Sequence, residues 1–176
     1  AACYIVLHTA ASLHLFFHAT SSAMILLPTS NRKISKIMEY TKDLSIVISL
    51  YNEEESLSEL VSWIEKVMTR EGYNYEILMV DDGSTDKSWN LVKELAEKNP
   101  AIRGISFRRN YGKSPAPYHG FASAEGSVAV PMDADLQDSP NEIPEMRRMI
   151  LEDGYDLVSG WKRKRYDPIS KRWPSK

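Results

Sequence analysis

The chain has little of what several protein classes require. Its single cysteine, Cys3, excludes an intrachain disulfide framework and fits a reducing compartment. A net charge of -2 gives no support for nucleic-acid binding. Apolar content of 43% and charged content of 26% are ordinary for a globular protein. With 176 residues, the chain should hold one domain, or one domain plus an appendage.

Residues 1–31 contain no Lys, Arg, Asp or Glu. Ala1–Leu27 is long enough to cross a bilayer, although three histidines and many Ser and Thr weaken that interpretation. A secretory signal would carry basic residues first, and none is present. Three hypotheses stay open: a membrane segment, a packed or loose extension, and a non-native leader before Met38. We therefore expect a leader over residues 1–37 and a domain over residues 38–176.

Beyond the leader, apolar β-branched runs alternate with segments of helical periodicity. This order predicts right-handed βαβ units and an α/β fold with a mostly parallel sheet. Glu53, Glu54 and Glu55 are expected to fill the first turn of the first helix, and Gly72 to end it. The five expected strands are Leu44–Leu50, Tyr75–Val80, Ile102–Phe107, Ser127–Met132 and Tyr155–Ser159.

Acidic pairs follow two of these strands. Asp81 and Asp82 end the second strand, and Asp133 and Asp135 follow the fourth. Ligands of open parallel sheets bind at the carboxyl ends of the strands. Carboxylates at that edge suit Mg²⁺ or Mn²⁺, which bind through one or two carboxylates plus substrate phosphates. The pattern indicates a site for a nucleotide diphosphate and its metal, although Asp81-Asp82-Gly-Ser alone is also a common turn.

Five motifs together resemble one enzyme family. The chain from Asp43 to Lys176 is similar to the GT-A inverting glycosyltransferases that resemble dolichol-phosphate mannosyltransferase and the bacterial undecaprenyl-phosphate sugar transferases. The resemblance implies a Rossmann-like, three-layer GT-A domain. It also implies further acceptor-side elements after Lys176, so we expect the domain to be truncated. The motifs are YNE at 51–53, VDDGSTD at 80–86, RNYGK at 109–113, DADLQ at 133–137 and SGW at 159–161.

The resemblance implies roles for individual residues. Asp82 would hydrogen-bond the edge of uracil or guanine. Asp133, Asp135 and Gln137 would bind the metal. The catalytic residues would be Asp135 with Lys162 and Arg163, beside the sugar and the acceptor phosphate. Glu53 has an alternative role as a partner of the helix dipole, and the basic run has one as a solvated cluster. The expected nucleotide-binding residues are Leu50, Tyr51, Glu53, Val80, Asp82, Lys113, Asp133 and Ala134.

The implied reaction transfers a sugar from a UDP- or GDP-sugar to a polyprenyl phosphate, undecaprenyl or dolichyl, with inversion at the anomeric carbon. Mg²⁺ or Mn²⁺ would offset the charge of the leaving diphosphate. The phosphate acceptor is already anionic, so no catalytic histidine is expected, and His119 is the only one in the domain. We expect a cell-envelope glycan enzyme at the membrane surface, on the cytoplasmic face. The alternatives are a soluble transferase for a saccharide or protein, and an inactive nucleotide-sugar-binding fragment.

Overall fold

The computed structural model describes residues 6–8, 40–112 and 115–160. A single sheet and four α-helices make up this part of the chain. The strands are β1 (Val6–His8), β2 (Lys42–Leu50), β3 (Tyr75–Asp81), β4 (Ile102–Ser106), β5 (Gly126–Asp133) and β6 (Leu157–Val158). The helices are α1 (Leu57–Glu71), α2 (Ser88–Lys98), α3 (Pro115–Ala122) and α4 (Ile143–Leu151), with a 3-10 turn at Pro140–Glu142.

The order of the strands in the sheet is β4-β3-β2-β5-β1-β6. Strands β4, β3, β2 and β5 are parallel, as the alternation of strands and helices predicts. Strand β1 comes from the leader, lies between β5 and β6, and runs antiparallel to both. The sequence did not predict β1, and β6 is shorter than the expected strand over 155–159. The expectation of an α/β fold with a mostly parallel sheet is confirmed.

The central strands are apolar on both faces because helices cover both sides of the sheet. Alternate residues of β2 point into two separate cores: Ile46 and Ile48 into the larger one, and Val47 into the smaller. Helices α1, α2 and α4 close the larger core, whereas α3 closes the smaller. A Cβ on Gly120 of α3 would overlap Val47, so this glycine permits the close approach of helix and sheet.

The expected start of the first helix was wrong. Helix α1 begins at Leu57, and Glu53, Glu54 and Glu55 lie in the turn before it. The Glu53 backbone N–H donates to Ser88 Oγ at the start of α2, and the Glu54 N–H donates to Asp86 Oδ2 in the loop before α2. These bonds draw the turn out of the helix. The expected end is confirmed, because Gly72 has φ 70 and donates its N–H to carbonyls of the last turn.

A buried carboxylate lies at the opposite, amino end of the strands. Glu76 is 3% exposed and accepts hydrogen bonds from Ser45 Oγ (2.5 Å) and the Glu125 backbone N–H (2.6 Å). Arg103 forms an ion pair with Glu76, with 3.2 Å between nitrogen and oxygen. Arg103 also donates a hydrogen bond to the Glu125 carboxylate, and this bond lowers the pKa of Glu125. This cluster joins β2, β3, β4 and the start of β5, and we assign it a structural role.

None of the helices in the described ranges has both the length and the apolar character needed to cross a membrane.

Candidate nucleotide-sugar site

The strand register brings the expected site residues to one edge of the sheet. Leu50 of β2 pairs with Asp81 of β3, and Ser49 pairs with Asp133 of β5. The carboxyl ends of three parallel strands are therefore level with one another, as the sequence predicted. The loops that follow these strands form the candidate site.

Asp81 serves the turn that it begins. Its side chain is 1% exposed and accepts hydrogen bonds from the backbone N–H of Ser84 (3.0 Å) and from Ser106 Oγ (3.0 Å). The simpler interpretation of this motif, a turn stabilised by an aspartate, therefore describes Asp81 well. Asp82, the next carboxylate of the motif, is 6% exposed.

Asp82 joins its turn to the basic loop, residues 108–113, of which the structure describes 108–112. Its carboxylate accepts the backbone N–H groups of Tyr111 (2.8 Å) and Gly112 (2.9 Å), and its side chain is buried. An ionised carboxylate has about four acceptor positions, so two remain for a ligand. The predicted contact with a nucleobase edge is therefore compatible with this geometry and stays a prediction.

Gly83 allows this loop to approach closely. It has φ 72, and a Cβ at this position would overlap the backbone of Arg109 and Asn110. Both the positive φ and the lack of space favour glycine. The Asp82-Gly83 step thus fixes the basic loop against the end of β3.

Asn52 is a structural residue of the site that the sequence analysis missed. Its Oδ1 accepts the backbone N–H of Thr85 at 2.8 Å, and its own N–H donates to Ser84 Oγ at 2.9 Å. Its φ of 55 is in the left-handed region, which Asn tolerates better than most residues. An Asn directly after a strand, opposite a Ser-Thr turn, is the signal that could have indicated this contact.

Asp86 extends the link between the two loops. Its carboxylate accepts the backbone N–H groups of Ser88 (2.9 Å) and Glu54 (3.3 Å). Burial acts to raise the pKa of Asp86, but the hydrogen bonds from Ser88 and Glu54 outweigh it and lower that pKa.

Glu53, a predicted nucleotide ligand, is half-buried, and its carboxylate accepts a hydrogen bond from Ser56 Oγ at 3.1 Å.

The expected metal ligands lie at the end of β5 and in the tight turn that follows it. Asp133, Asp135 and Gln137 are exposed, and the Gln137 backbone N–H donates to Asp135 Oδ1 at 3.1 Å. Leu136 has φ 59, a rare conformation for a bulky residue, and it lies between two of the predicted ligands. Such strain is found at functional sites more often than elsewhere.

The exposed oxygens of this turn suit a divalent ion. Asp133 and Asp135 leave carboxylate oxygens open to solvent, and Mg²⁺ or Mn²⁺ completes its shell with waters and substrate phosphates. Among the described residues, no three His, Cys, Asp or Glu side chains are grouped so that they alone could hold a metal. The donor set fits an ion that arrives with a diphosphate.

The predicted pocket residues differ in exposure. The side chains of Leu50 and Val80 are buried, in the larger and the smaller core respectively. Any contact of these two residues with a ligand would therefore be made by their backbone atoms. Ala134 is also buried, whereas Tyr51 is 44% exposed and available to contact a ligand. Lys113, Lys162 and Arg163, also predicted from the sequence, lie outside the described residues.

Curated relatives match most of the chain. It is 41% identical over 133 residues to an undecaprenyl-phosphate 4-deoxy-4-formamido-L-arabinose transferase of Pseudomonas fluorescens, covering 75% of this chain and 39% of the relative. It is 42% identical to the Shewanella sediminis transferase of the same name, covering 75% and 40%. The chain thus spans about two-fifths of the length of these relatives.

Solved structures share the fold. A Pyrobaculum calidifontis mannosyltransferase in complex with GDP-Man and Mn²⁺ superposes with a TM-score of 0.55 at 23% identity, covering 64% of this chain and 33% of that one. S. aureus TarS in complex with UDP-GlcNAc gives 0.51 at 21% identity, covering 61% and 31%. These likenesses confirm the GT-A fold expected from the sequence. The model of glycosyl transferase family 2 matches residues 45–176, and the chain belongs to that family.

Proposed function

We propose that the protein transfers a sugar from a nucleotide diphosphate sugar to a polyprenyl phosphate, with inversion at the anomeric carbon. The strand register, which places Asp81 beside Leu50 and Asp133 beside Ser49, brings the Asp82 and Asp135 turns to one edge of the sheet and carries the donor half of this proposal. The relatives at about 40% identity, named as undecaprenyl-phosphate transferases, support a lipid phosphate as the acceptor. Their names also make 4-deoxy-4-formamido-L-arabinose the first sugar to test.

The donor would bind across the ends of β2, β3 and β5. Tyr51 is exposed and follows Leu50, whose carbonyl accepts the Asp82 backbone N–H at 2.9 Å. The remaining acceptor positions of the Asp82 carboxylate would suit an N–H on the edge of a base. Asp133 ends β5, the neighbouring strand on the other side of β2, so the diphosphate would lie toward it. Base recognition and diphosphate binding are thereby assigned to different strands.

Asp133, Asp135 and Gln137 would hold a divalent ion against the diphosphate. Such an ion would act as a Lewis acid that offsets the charge of the leaving group. The Gln137 N–H holds one oxygen of Asp135, so this turn orients that carboxylate before any ligand binds. The structural relative bound to GDP-Man and Mn²⁺ supports the choice of metal.

The acceptor phosphate would supply the nucleophile without help from a strong base. An ionised phosphate oxygen attacks the anomeric carbon from the face opposite the diphosphate, which inverts the configuration. His119 packs edge-on against Phe107 and Tyr118, which agrees with a packing role rather than a catalytic one. Lys162 and Arg163 would neutralise the acceptor phosphate, at the cytoplasmic face of the membrane.

A transfer assay tests this function. UDP- and GDP-linked 4-deoxy-4-formamido-L-arabinose are each incubated with the protein, Mn²⁺ and detergent-dispersed undecaprenyl phosphate, and the anomeric configuration of the glycolipid is read by NMR. We expect an inverted product from one donor, and no product with EDTA or with Asp133→Asn/Asp135→Asn. Tight, metal-dependent donor binding without any transfer would contradict the proposal and favour a nucleotide-sugar-binding unit.

A further inference from the structure

Aromatic rings form a connected row on the surface beside the candidate site. The Phe107 ring contacts Tyr111 and His119 edge-to-face, with ring centres 5.8 Å and 5.3 Å apart. The His119 ring contacts Tyr118 in the same way, with centres 5.5 Å apart. The guanidinium of Arg109 lies over the Tyr111 ring, 4.9 Å from its centre. We call these five residues the aromatic patch. It joins the basic loop to helix α3.

Most of the aromatic patch faces solvent. Tyr111 is 54% exposed and Tyr118 is 45% exposed, and Arg109 and His119 are exposed as well. Within the aromatic patch, only Phe107 packs against the smaller core. Edge-to-face contacts fix the rings in place, so they present an ordered apolar surface without needing the core. Adjacent exposed rings of this kind mark interaction sites more often than isolated ones do.

The chain segment that carries the aromatic patch is basic. The sequence from Phe107 to Ala124 contains no Asp or Glu, although it contains two arginines and a lysine in a chain of net charge -2. The carboxylate that contacts this segment, Asp82, is buried and accepts two backbone N–H groups. The partner of the aromatic patch should therefore be anionic and accept aromatic rings.

We propose that the aromatic patch docks on an anionic phospholipid surface. Tyrosine rings with a polar tip settle at the boundary between headgroups and acyl chains, and arginine binds lipid phosphates. Because Asp82 holds the basic loop, docking there would bring the carboxyl edge of the sheet close to the lipid surface. This inference rests on the proposed function, in which the acceptor is itself a membrane lipid.

Vesicle sedimentation tests the docking surface. The protein is mixed at low salt with vesicles of phosphatidylglycerol and phosphatidylcholine that contain no polyprenyl phosphate, and with vesicles of phosphatidylcholine alone. The test variants are Arg109→Gln, Tyr118→Ser and the double variant. The matched control is Arg70→Gln/Tyr155→Ser, which removes an arginine and a tyrosine of similar exposure away from the aromatic patch. Thermal melts confirm that each variant is folded.

We expect the parent protein to bind the vesicles that contain phosphatidylglycerol and not those of phosphatidylcholine alone. The affinity for the anionic vesicles should fall about fivefold for Arg109→Gln and further for the double variant. The control double variant should bind as the parent protein does. Equal binding by the double variant and the parent, or equal losses in test and control variants, would overturn the inference. If the protein transfers sugar to the detergent-dispersed acceptor but its vesicle binding does not depend on the aromatic patch, only this inference is contradicted. If vesicle binding depends on the aromatic patch but no sugar is transferred, only the proposed function is contradicted.

Discussion

Tyr111 donates its backbone N–H to the carboxylate of Asp82 at 2.8 Å, and this bond ties the basic loop to the end of β3. Gly112 donates to the other carboxylate oxygen at 2.9 Å. The residue expected to recognise the base therefore also orders the loop beside it. If Asp82 recognises the base as proposed, donor binding and loop position are coupled through one side chain.

Replacing Asp82 with Asn should weaken both properties. An amide offers only one acceptor oxygen, so either Tyr111 or Gly112 loses its hydrogen bond to residue 82. The Gly112 N–H also donates to Asn110 Oδ1 at 2.9 Å, so the cost is larger if Tyr111 loses its bond. We expect the free energy of unfolding to fall by about 1–3 kcal/mol, measured by urea denaturation, and nucleotide affinity to fall with it. Asp153→Asn is the control, because its ion pair with Arg148 is on the surface and should contribute little. Equal stability of the two variants would contradict the assignment.

Gly83→Ala should be more harmful than Gly72→Ala. Both glycines have positive φ, 72 and 70, so the backbone strain of an alanine is similar. Only at Gly83 would the new Cβ overlap backbone, that of Arg109, whereas nothing lies within 4 Å of a Cβ on Gly72. We expect Gly83→Ala to lower the free energy of unfolding by about 1–3 kcal/mol more than its matched control. Equal losses would show that the loop can move away at no cost.

Asn52→Gly should separate the side-chain contact of Asn52 from its backbone conformation. Glycine accepts the positive φ but removes the acceptor for the Thr85 N–H. The free energy of unfolding should fall by about 1 kcal/mol for Asn52→Gly, and further for Asn52→Ala, which adds strain. Urea denaturation of both variants measures the difference. If Asn52→Ala were the more stable of the two, the left-handed conformation would not be required.

The Asp86 carboxylate should make stability depend on acid pH. The pKa of Asp86 is lowered from its ordinary value in the folded state, so folding favours the ionised form. The contribution to stability is complete above the unfolded pKa and is lost as the pH falls through the folded pKa. Urea denaturation between neutral and acid pH should show Asp86→Asn less stable than the parent at neutral pH, with the gap closing under acid. A constant gap would contradict the assigned shift.

Local patterns predicted the scaffold because each central strand is apolar enough to indicate burial on both faces. Residues 75–80 and 127–132 become strands for that reason, and βαβ order then places their carboxyl ends together. The bond between Asn52 and Thr85 joins residues far apart in sequence, so periodicity could not reveal it. Strand β1 depends on pairing with β5, which a short run within the uncharged residues 1–31 does not specify.

The left-handed conformation of Leu136 was equally hidden from the sequence. Leucine carries no signal for a positive φ, and the turn is instead stabilised by the contact between Gln137 and Asp135. The sequence could therefore name the predicted metal ligands but not the shape of the turn that presents them.

Titration calorimetry of UDP and GDP, each with and without Mn²⁺, tests the central claim most directly. The parent protein is compared with Asp133→Ala/Asp135→Ala, whose replaced side chains are exposed and should leave the fold intact. The account predicts that one nucleotide binds, that binding requires the metal, and that the double variant loses it. Binding of neither nucleotide by a folded sample, or equal binding by the double variant, would contradict the donor site.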